Sequence, residues 1–278
     1  MNSFSTLSLS IIGAGRVGQS LGHLFSQLKV FDVAQIYTQN EESNDVALQF
    51  IGAGRGIHKL DQLEPSDVIM IAVPDDHIAT IAQYLLTHNL LRRGQLVFHC
   101  SGAQSSKLLA PLRAAEVHVA SVHPVRSFAQ PRSAVEDFCG TICSIEGDHL
   151  ALAILMPAFS AIGGQILAIA TENKLLYHAG SVFASNYLVS LMDMAMNTYC
   201  AAGVSPEMAT AMAKSLALQS IDNVFKLGTA AALTGPIKRG DTQLVTQQAE
   251  LVKAWDAPAG ELYQAFIAPT TSLAKRAF

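Results

Sequence analysis

The chain is 278 residues long, 50% hydrophobic and only 14% charged, enough to bury a large core and more than one ordinary domain needs. Its net charge of -4, with basic residues scattered along the chain, excludes an electrostatic footprint for nucleic acid or an anionic membrane, so any phosphate binding is local. Cys100, Cys139, Cys143 and Cys200 lack the C-x-x-C spacing of a metal or redox motif, and the first residues lack the basic, apolar and small-residue order of a signal peptide; free thiols, a cytoplasmic location and no metal are expected.

The first elements carry a dinucleotide-binding signature. A strand-like run, residues 9–12, leads into Gly13, Ala14, Gly15, Arg16, Val17 and Gly18, and then into a helix with apolar residues Val17, Leu21, Leu24, Phe25 and Leu28 on one face. The first glycine makes the strand-to-helix turn, the second admits a pyrophosphate to the backbone, and the third lets helix and strand pack closely. Free amides at the helix start then face the anion. A glycine-rich turn without a ligand is the plainer alternative.

A second strand, residues 33–37, ends at Thr38-Gln39-Asn40. An NAD site usually places an acid there for the ribose 2'-hydroxyl. Thr38 stands in its place, which removes a repulsion of the 2'-phosphate and favours NADP, with NAD as the alternative; Arg16 or Arg55 is the candidate phosphate partner. The run Ile51-Gly52-Ala53-Gly54-Arg55-Gly56 repeats the motif's letters but follows a helix-like stretch, so it reads as a helix exit and loop.

Further strands are expected at residues 68–73, 96–99, 117–122, 141–145 and 166–170. Most are separated by helix-length segments, the pattern of a mostly parallel, doubly wound sheet. Residues 150–170 are uncharged and long enough to cross a bilayer. Pro157, Gly163, Gly164 and Gln165 interrupt them, so they read as a buried helix followed by a buried strand. Beyond residue 170 the chain becomes apolar-periodic and rich in Ala, Leu and Met. The expected division is a Rossmann-like domain, 1–170, and a helical substrate and dimerisation domain, 171–278, whose sparsely charged helices imply a homodimer.

Ligands of such sheets lie beyond the carboxyl ends of the strands. Val73, Pro74 and Asp76 stand at one end, Cys100 and Ser101 at the next, and all five are expected along the cofactor. Ser101 offers a hydroxyl to substrate or merely caps a turn. His123 orients a substrate or donates a proton, or is a satisfied core histidine, and Arg126 is placed to hold a carboxylate. Cys100 has no paired base and reads as structural.

Lys174, His178, Ser181 and Ser185 align on one helix face, with Asn186 beside them. Facing the cleft, Lys174 or His178 would protonate the oxygen or nitrogen left when hydride adds to C=O or C=N; otherwise the stripe faces solvent. Met192, Met194 and Met196 read as core filling, and Asp241 as a helix cap.

Together GAGRVG, AVPDD, HCSGA, HPVRSF, Lys174 with YHAGSVFASNY, and LTGPIKRGD at residues 233–241 resemble a family of predicted NAD(P)-dependent oxidoreductases, over nearly the whole chain. That family joins a Rossmann-like domain to a C-terminal helical domain of unknown function. More distantly the chain is similar to pyrroline-carboxylate reductase, ketopantoate reductase and the β-hydroxyacid dehydrogenases. The resemblance implies an α/β N-terminal domain followed by an all-α domain of the 6-phosphogluconate dehydrogenase-like type. It also implies a loop at 233–241 close to the cleft, with Arg239 on an anionic group. In the last two families a lysine at the start of the first long helix is the proton donor, which carries onto Lys174; the asparagine that follows it by one turn is His178 here. The expected function is transfer of hydride to or from a small carbonyl, hydroxyl or imine substrate. Lys174 is the expected proton donor, and Ser101, His123 and Asn186 orient the substrate. The alternative is a non-catalytic dinucleotide sensor.

Overall fold

The computed structural model describes residues 6–276, and the chain divides into two compact units, one ending at Val182 and the other beginning at Phe183. The first unit runs β1 (Ser8–Ile12), α1 (Arg16–Gln27), β2 (Asp32–Tyr37), α2 (Glu41–Ile51), β3 (Arg55–Ile57), β4 (Val68–Ile71) and α3 (Asp75–Thr87). It continues with β5 (Leu96–His99), β6 (His118–Pro124), α4 (Pro131–Glu136), β7 (Ile142–Gly147), α5 (His149–Ala161), β8 (Gln165–Ala168) and α6 (Lys174–Ser181).

The strands form one sheet in the order β3-β2-β1-β4-β5-β6-β7-β8. Every neighbouring pair is parallel except β6 and β7. Successive residues of the central strands feed two separate cores. Leu9, Ile11, Met70 and Phe98 pack with α1 and α5 residues such as Phe25 and Phe159, whereas Ile12, Ile69, Ile71 and Val97 pack with Ile78, Leu85 and Leu109. Strands covered on both faces are apolar throughout, which is why β4 reads Val-Ile-Met-Ile and is buried at every position.

Three expectations change at the sheet edges. Gly52 does end α2 in the left-handed region (φ 75°), but the chain then forms β3 against β2; three residues on an edge are too short to show a periodicity. The uncharged stretch is a helix and a strand, yet neither is fully buried. α5 buries Ala151, Leu155, Ala158 and Phe159 on one face only, and β8 is an edge strand with Leu167 46% exposed. Among the described residues no helix is long and apolar enough to cross a membrane.

The second unit is helical. A π-helical segment, Val182–Asn186, spans the boundary, and α7 (Tyr187–Ala201), α8 (Pro206–Leu227), α9 (Thr229–Ala232), α10 (Pro236–Arg239), α11 (Thr242–Trp255) and α12 (Ala257–Ala274) follow. Ser205 caps α8 by accepting from the Met208 amide at 3.3 Å, and Asp256 caps α12 by accepting from the Ala259 amide at 2.7 Å. Asp241 does not cap α11 as expected: its carboxylate is drawn back to Arg239 Nη2 at 2.9 Å. Met192, Met194 and Met196 are half-buried rather than core residues.

Candidate active site

The glycine motif performs three distinct tasks. Gly13 sits at φ +88°, and a β-carbon there would lie 2.6 Å from Val73 Cγ1 and 2.7 Å from the Ala72 carbonyl oxygen, so the turn between β1 and α1 admits only glycine. A β-carbon at Gly18 would run into the Gly13 carbonyl, which fixes how closely α1 approaches its own strand. At Gly15, the residue before α1, a β-carbon would meet nothing within 4 Å, and no side chain caps the helix. That side is open, with uncapped first-turn amides available to an anion.

A groove of about 740 Å³ starts there, lined by Gly13, Ala14, Gly15, residues 37–40, Glu42, Val73 and Pro74. Thr38 is buried, and its hydroxyl donates to the Asn40 carbonyl at 2.8 Å. The Asn40 side chain in turn caps α2 by accepting from the Ser43 amide at 2.8 Å. Arg16 is exposed in the first turn of α1. Arg55 is not in the groove wall, because its guanidinium is paired with Glu64. Asp76 is exposed on α3 and lines neither the groove nor the cavity next to it; its neighbour Asp75 takes that place.

Beyond Ala72 and Val73, which line both, a second cavity of about 240 Å³ opens over the carboxyl ends of β4, β5 and β6. Its wall brings together Val17, Asp75, Cys100, Ser101, Gly102, His123, Arg126, Phe128 and His178. The Ser101 hydroxyl donates to Asp75 Oδ2 at 2.7 Å and accepts from the Ala103 and Gln104 amides at 3.2 and 2.9 Å. It thus closes its own turn and holds Asp75 at the same time.

His123, on β6, has Nδ1 3.3 Å from the Tyr177 hydroxyl. Burial, with the positive charge of Lys174 and the His178 ring, pushes its pKa down to about 4, so it is neutral at pH 7. The His178 ring crosses it edge to face at 5.5 Å, and His178 Nδ1 is buried without a hydrogen-bond partner. Burial pushes the Cys100 thiol up to about 12, which leaves it protonated and a poor nucleophile.

Lys174 begins α6 and is 1% exposed. It does not line the cavity. Its ammonium donates to Ser121 Oγ on β6, which stands 3.3 Å from His99 Nδ1. His99 Nδ1 also accepts from the Ser101 amide at 3.2 Å, so the ring's proton lies on Nε2, facing the Ser105 carbonyl at 3.2 Å. Burial lowers the His99 pKa to about 4. Burial likewise lowers Lys174 to about 8, with Glu146 working in the opposite direction. Glu146 pairs with Ser121 in the antiparallel ladder, and its carboxylate accepts from the Ser106 amide, the Ser106 hydroxyl and the Thr171 hydroxyl at 2.7, 2.7 and 2.8 Å. A buried charge is tolerable when paired and hydrogen-bonded in this way.

Of the helix stripe, Lys174 and His178 join this cluster. Ser181, the last residue of α6, is half-buried; Ser185 is exposed, because the π turn from Val182 adds residues per turn and breaks the spacing. Asn186 is exposed and belongs to the second unit. Motif reading assigned no role to Ser121, Glu146, His99, Asp75 and Tyr177, although the last three lie within its motifs. For the first two a signal existed: a serine and a carboxylate within otherwise apolar strands are costly to bury without a purpose. Among the described residues no group of three or more His, Cys, Asp or Glu is arranged to hold a metal.

A family model described as a Rossmann-like domain matches residues 3–124, and one described as a domain of unknown function, DUF2520, matches residues 141–270. No curated protein matches the sequence. Among solved structures, BF3122 from Bacteroides fragilis, designated an NADP oxidoreductase, is similar with a TM-score of 0.78 at 19% identity, covering 96% of this chain and 98% of that one. Protein TM1727 from Thermotoga maritima follows with a TM-score of 0.72 at 25% identity, covering 96% and 98%. The Plasmodium falciparum pyrroline carboxylate reductase, with NADP bound, has a TM-score of 0.60 at 13% identity, covering 97% and 98%.

Proposed function

This chain joins a Rossmann-like domain to a DUF2520 domain, and we propose that it is an NADP-preferring oxidoreductase acting on a small carbonyl, hydroxyl or imine substrate. The observation that carries this reading is the continuity of the two spaces: the groove and the smaller polar cavity share Ala72 and Val73. Glycine geometry fits the dinucleotide, since the only motif glycine with open space around it is Gly15, on the groove side. Residues 13–18 hold the pyrophosphate, Thr38 and its neighbours border the ribose, and Val73 and Pro74 form the wall toward the cavity. When bound, the nicotinamide supplies or takes the hydride.

The chain's own residues provide position and a proton. His123, neutral at pH 7, orients the substrate as a hydrogen-bonding ring. Ser101 acts through Asp75 rather than by direct donation, because its own proton is committed there. Lys174 is the proton donor: with its pKa at about 8 it is a stronger acid than ordinary lysine and still regains its proton near neutrality. Since Nζ rests on Ser121, which is buried and does not line the cavity, transfer requires a swing of the lysine into the cavity. No role is assigned to Asn186.

Titration of the purified protein with NADPH and NADH, followed by nicotinamide fluorescence, tests the cofactor. Saturable binding with NADPH the tighter is expected, and binding of neither in folded protein overturns the reading. Lys174→Met that leaves turnover and its pH profile intact removes the proton-donor assignment.

We also infer a homodimer through the second unit of a cytoplasmic protein, whose four cysteines are all free thiols. α8 exposes Leu216, Leu218, Ile221, Phe225 and Leu227, with Phe225 85% exposed, apolar side chains that a partner copy would cover. Light scattering on the native protein and on Phe225→Asp checks this. A monomeric native protein at micromolar concentration overturns it.

A further inference from the structure

Arg126 occupies an unusual position. It lines the small cavity and forms no ion pair among the described residues; Arg16, Arg92 and Arg276 also form none, but they line no part of that cavity. Its Nη1 is anchored by donating to the Asp137 carbonyl at 2.6 Å and to Thr141 Oγ1 at 3.3 Å. Its Nε is buried and has no acceptor. A guanidinium anchored at Nη1 and without a carboxylate partner keeps donors with which it can receive a planar anion.

The other charged groups near the cavity are Lys174, with Glu146 opposing it, and Asp75. Lys174 lies behind the cavity as a second cation, while His123 is neutral. The one carboxylate in the wall, Asp75, accepts from Ser101, and it forms no ion pair with Arg126 among the described residues. At about 240 Å³ the cavity lies below the roughly 300–1,000 Å³ of pockets for drug-sized ligands, which limits the occupant to a few carbons.

We propose that the substrate is a small carboxylic acid, an oxo, hydroxy or imino acid, whose carboxylate is received by Arg126. This rests on the oxidoreductase reading for the word substrate, while the anion site itself rests only on the cavity. The experiment has two independent arms. In the first, ligand-observed NMR measures binding of acetate, pyruvate and lactate to the cofactor-free protein, against acetamide, pyruvamide and lactamide, which have the same shape without the charge. At least one acid should bind about 10- to 100-fold more tightly than its amide, and Arg126→Gln should abolish the difference. Arg126→Lys keeps the charge without the fork, retains only part of the preference, and serves if the glutamine variant does not fold. Amides binding as well as acids, acid binding unchanged in the folded Arg126 variants, or no acid binding at all overturns the proposal. In the second arm NADPH is titrated into the same protein. If NADPH binds and no acid is preferred, the acid inference alone fails. If acids bind at Arg126 and no dinucleotide binds, the oxidoreductase reading fails and the anion site stands.

Discussion

The His178 ring occupies the space that a β-carbon on Gly102 would need: such an atom would run into His178 Nδ1 and lie 2.7 Å from its Cε1, with His123 Cε1 only 2.9 Å away. Gly102 therefore serves the cavity by being absent as a side chain, and it has no need of glycine's backbone freedom, since its φ is not positive. Gly102→Ala is expected to destabilise the protein by about 1–3 kcal/mol through overpacking. In urea unfolding, the double variant with His178→Ala should be less unstable than the sum of the two single variants by on the order of 1 kcal/mol, because the obstacle is gone. Strict additivity would show that the two residues do not meet.

The three motif glycines should separate by assay. Gly18→Ala places a methyl against the Gly13 carbonyl, so it should lower stability and NADPH binding together. Gly15→Ala meets nothing within 4 Å and should shift stability by no more than about 0.5 kcal/mol. It should nonetheless weaken NADPH binding by about tenfold or more, because the methyl stands where the phosphate must approach the backbone. Thermal unfolding alongside fluorescence titration distinguishes them, and a Gly15→Ala protein with native affinity would place the pyrophosphate elsewhere.

Lys174 gives a stability signature at alkaline pH. Its folded pKa of about 8 lies below the ordinary 10.5, so between those values the unfolded chain binds more protons and stability rises with pH. The unfavourable contribution is present in full below pH 8 and is relieved on the way to pH 10.5, by on the order of 3 kcal/mol. Lys174→Met removes the titrating group but leaves the buried Glu146 without its cation, so the variant should lack this rise, and the native protein should gain stability relative to it between pH 7 and pH 9.5. Urea midpoints at both pH values test this, and a constant gap would mean that Lys174 titrates normally.

His99 and His123 act at the acid end. Burial holds both at about 4 against an ordinary 6.5, so the unfolded chain takes up their protons first and stability falls as pH drops from 6.5 through 4. Each contributes on the order of 3 kcal/mol to that fall. His99→Gln, which keeps a side-chain donor for the Ser105 carbonyl, should unfold less steeply with acid while being weaker at pH 7. The slope of unfolding free energy between pH 7 and 4.5 is the measurement, and an unchanged slope would show that His99 is not the group responsible.

Local chemistry was legible in the chain itself. The glycine motif could be read because the strand, the turn, the amides and the helix that make a phosphate cradle are consecutive residues, and each glycine's task follows from its place in that run. Alternation of strands with helix-length segments likewise pointed to a parallel sheet, since strands buried on both faces must be apolar throughout. The edges were less legible because a short or one-sided strand such as β3 or β8 leaves little pattern. The helix stripe extended too far because it assumed one period, and the π turn at Val182–Asn186 interrupts that period.

What only the tertiary structure decided is which polar groups satisfy one another. Ser121 meets Glu146 through the single antiparallel pairing in the sheet, and Lys174 reaches Ser121 from a helix that follows two more strands. Ser101 could have faced a substrate but is taken by Asp75, Arg55 could have faced a phosphate but is taken by Glu64, and Asp241 could have capped a helix but is taken by Arg239. Arg126 is left with an unmet donor. The sequence determines which donors and charges exist and the backbone that carries them. Which remain free for a ligand depends on distances of a few ångströms between residues far apart in the chain, and those are set only when the whole sheet closes over its two cores.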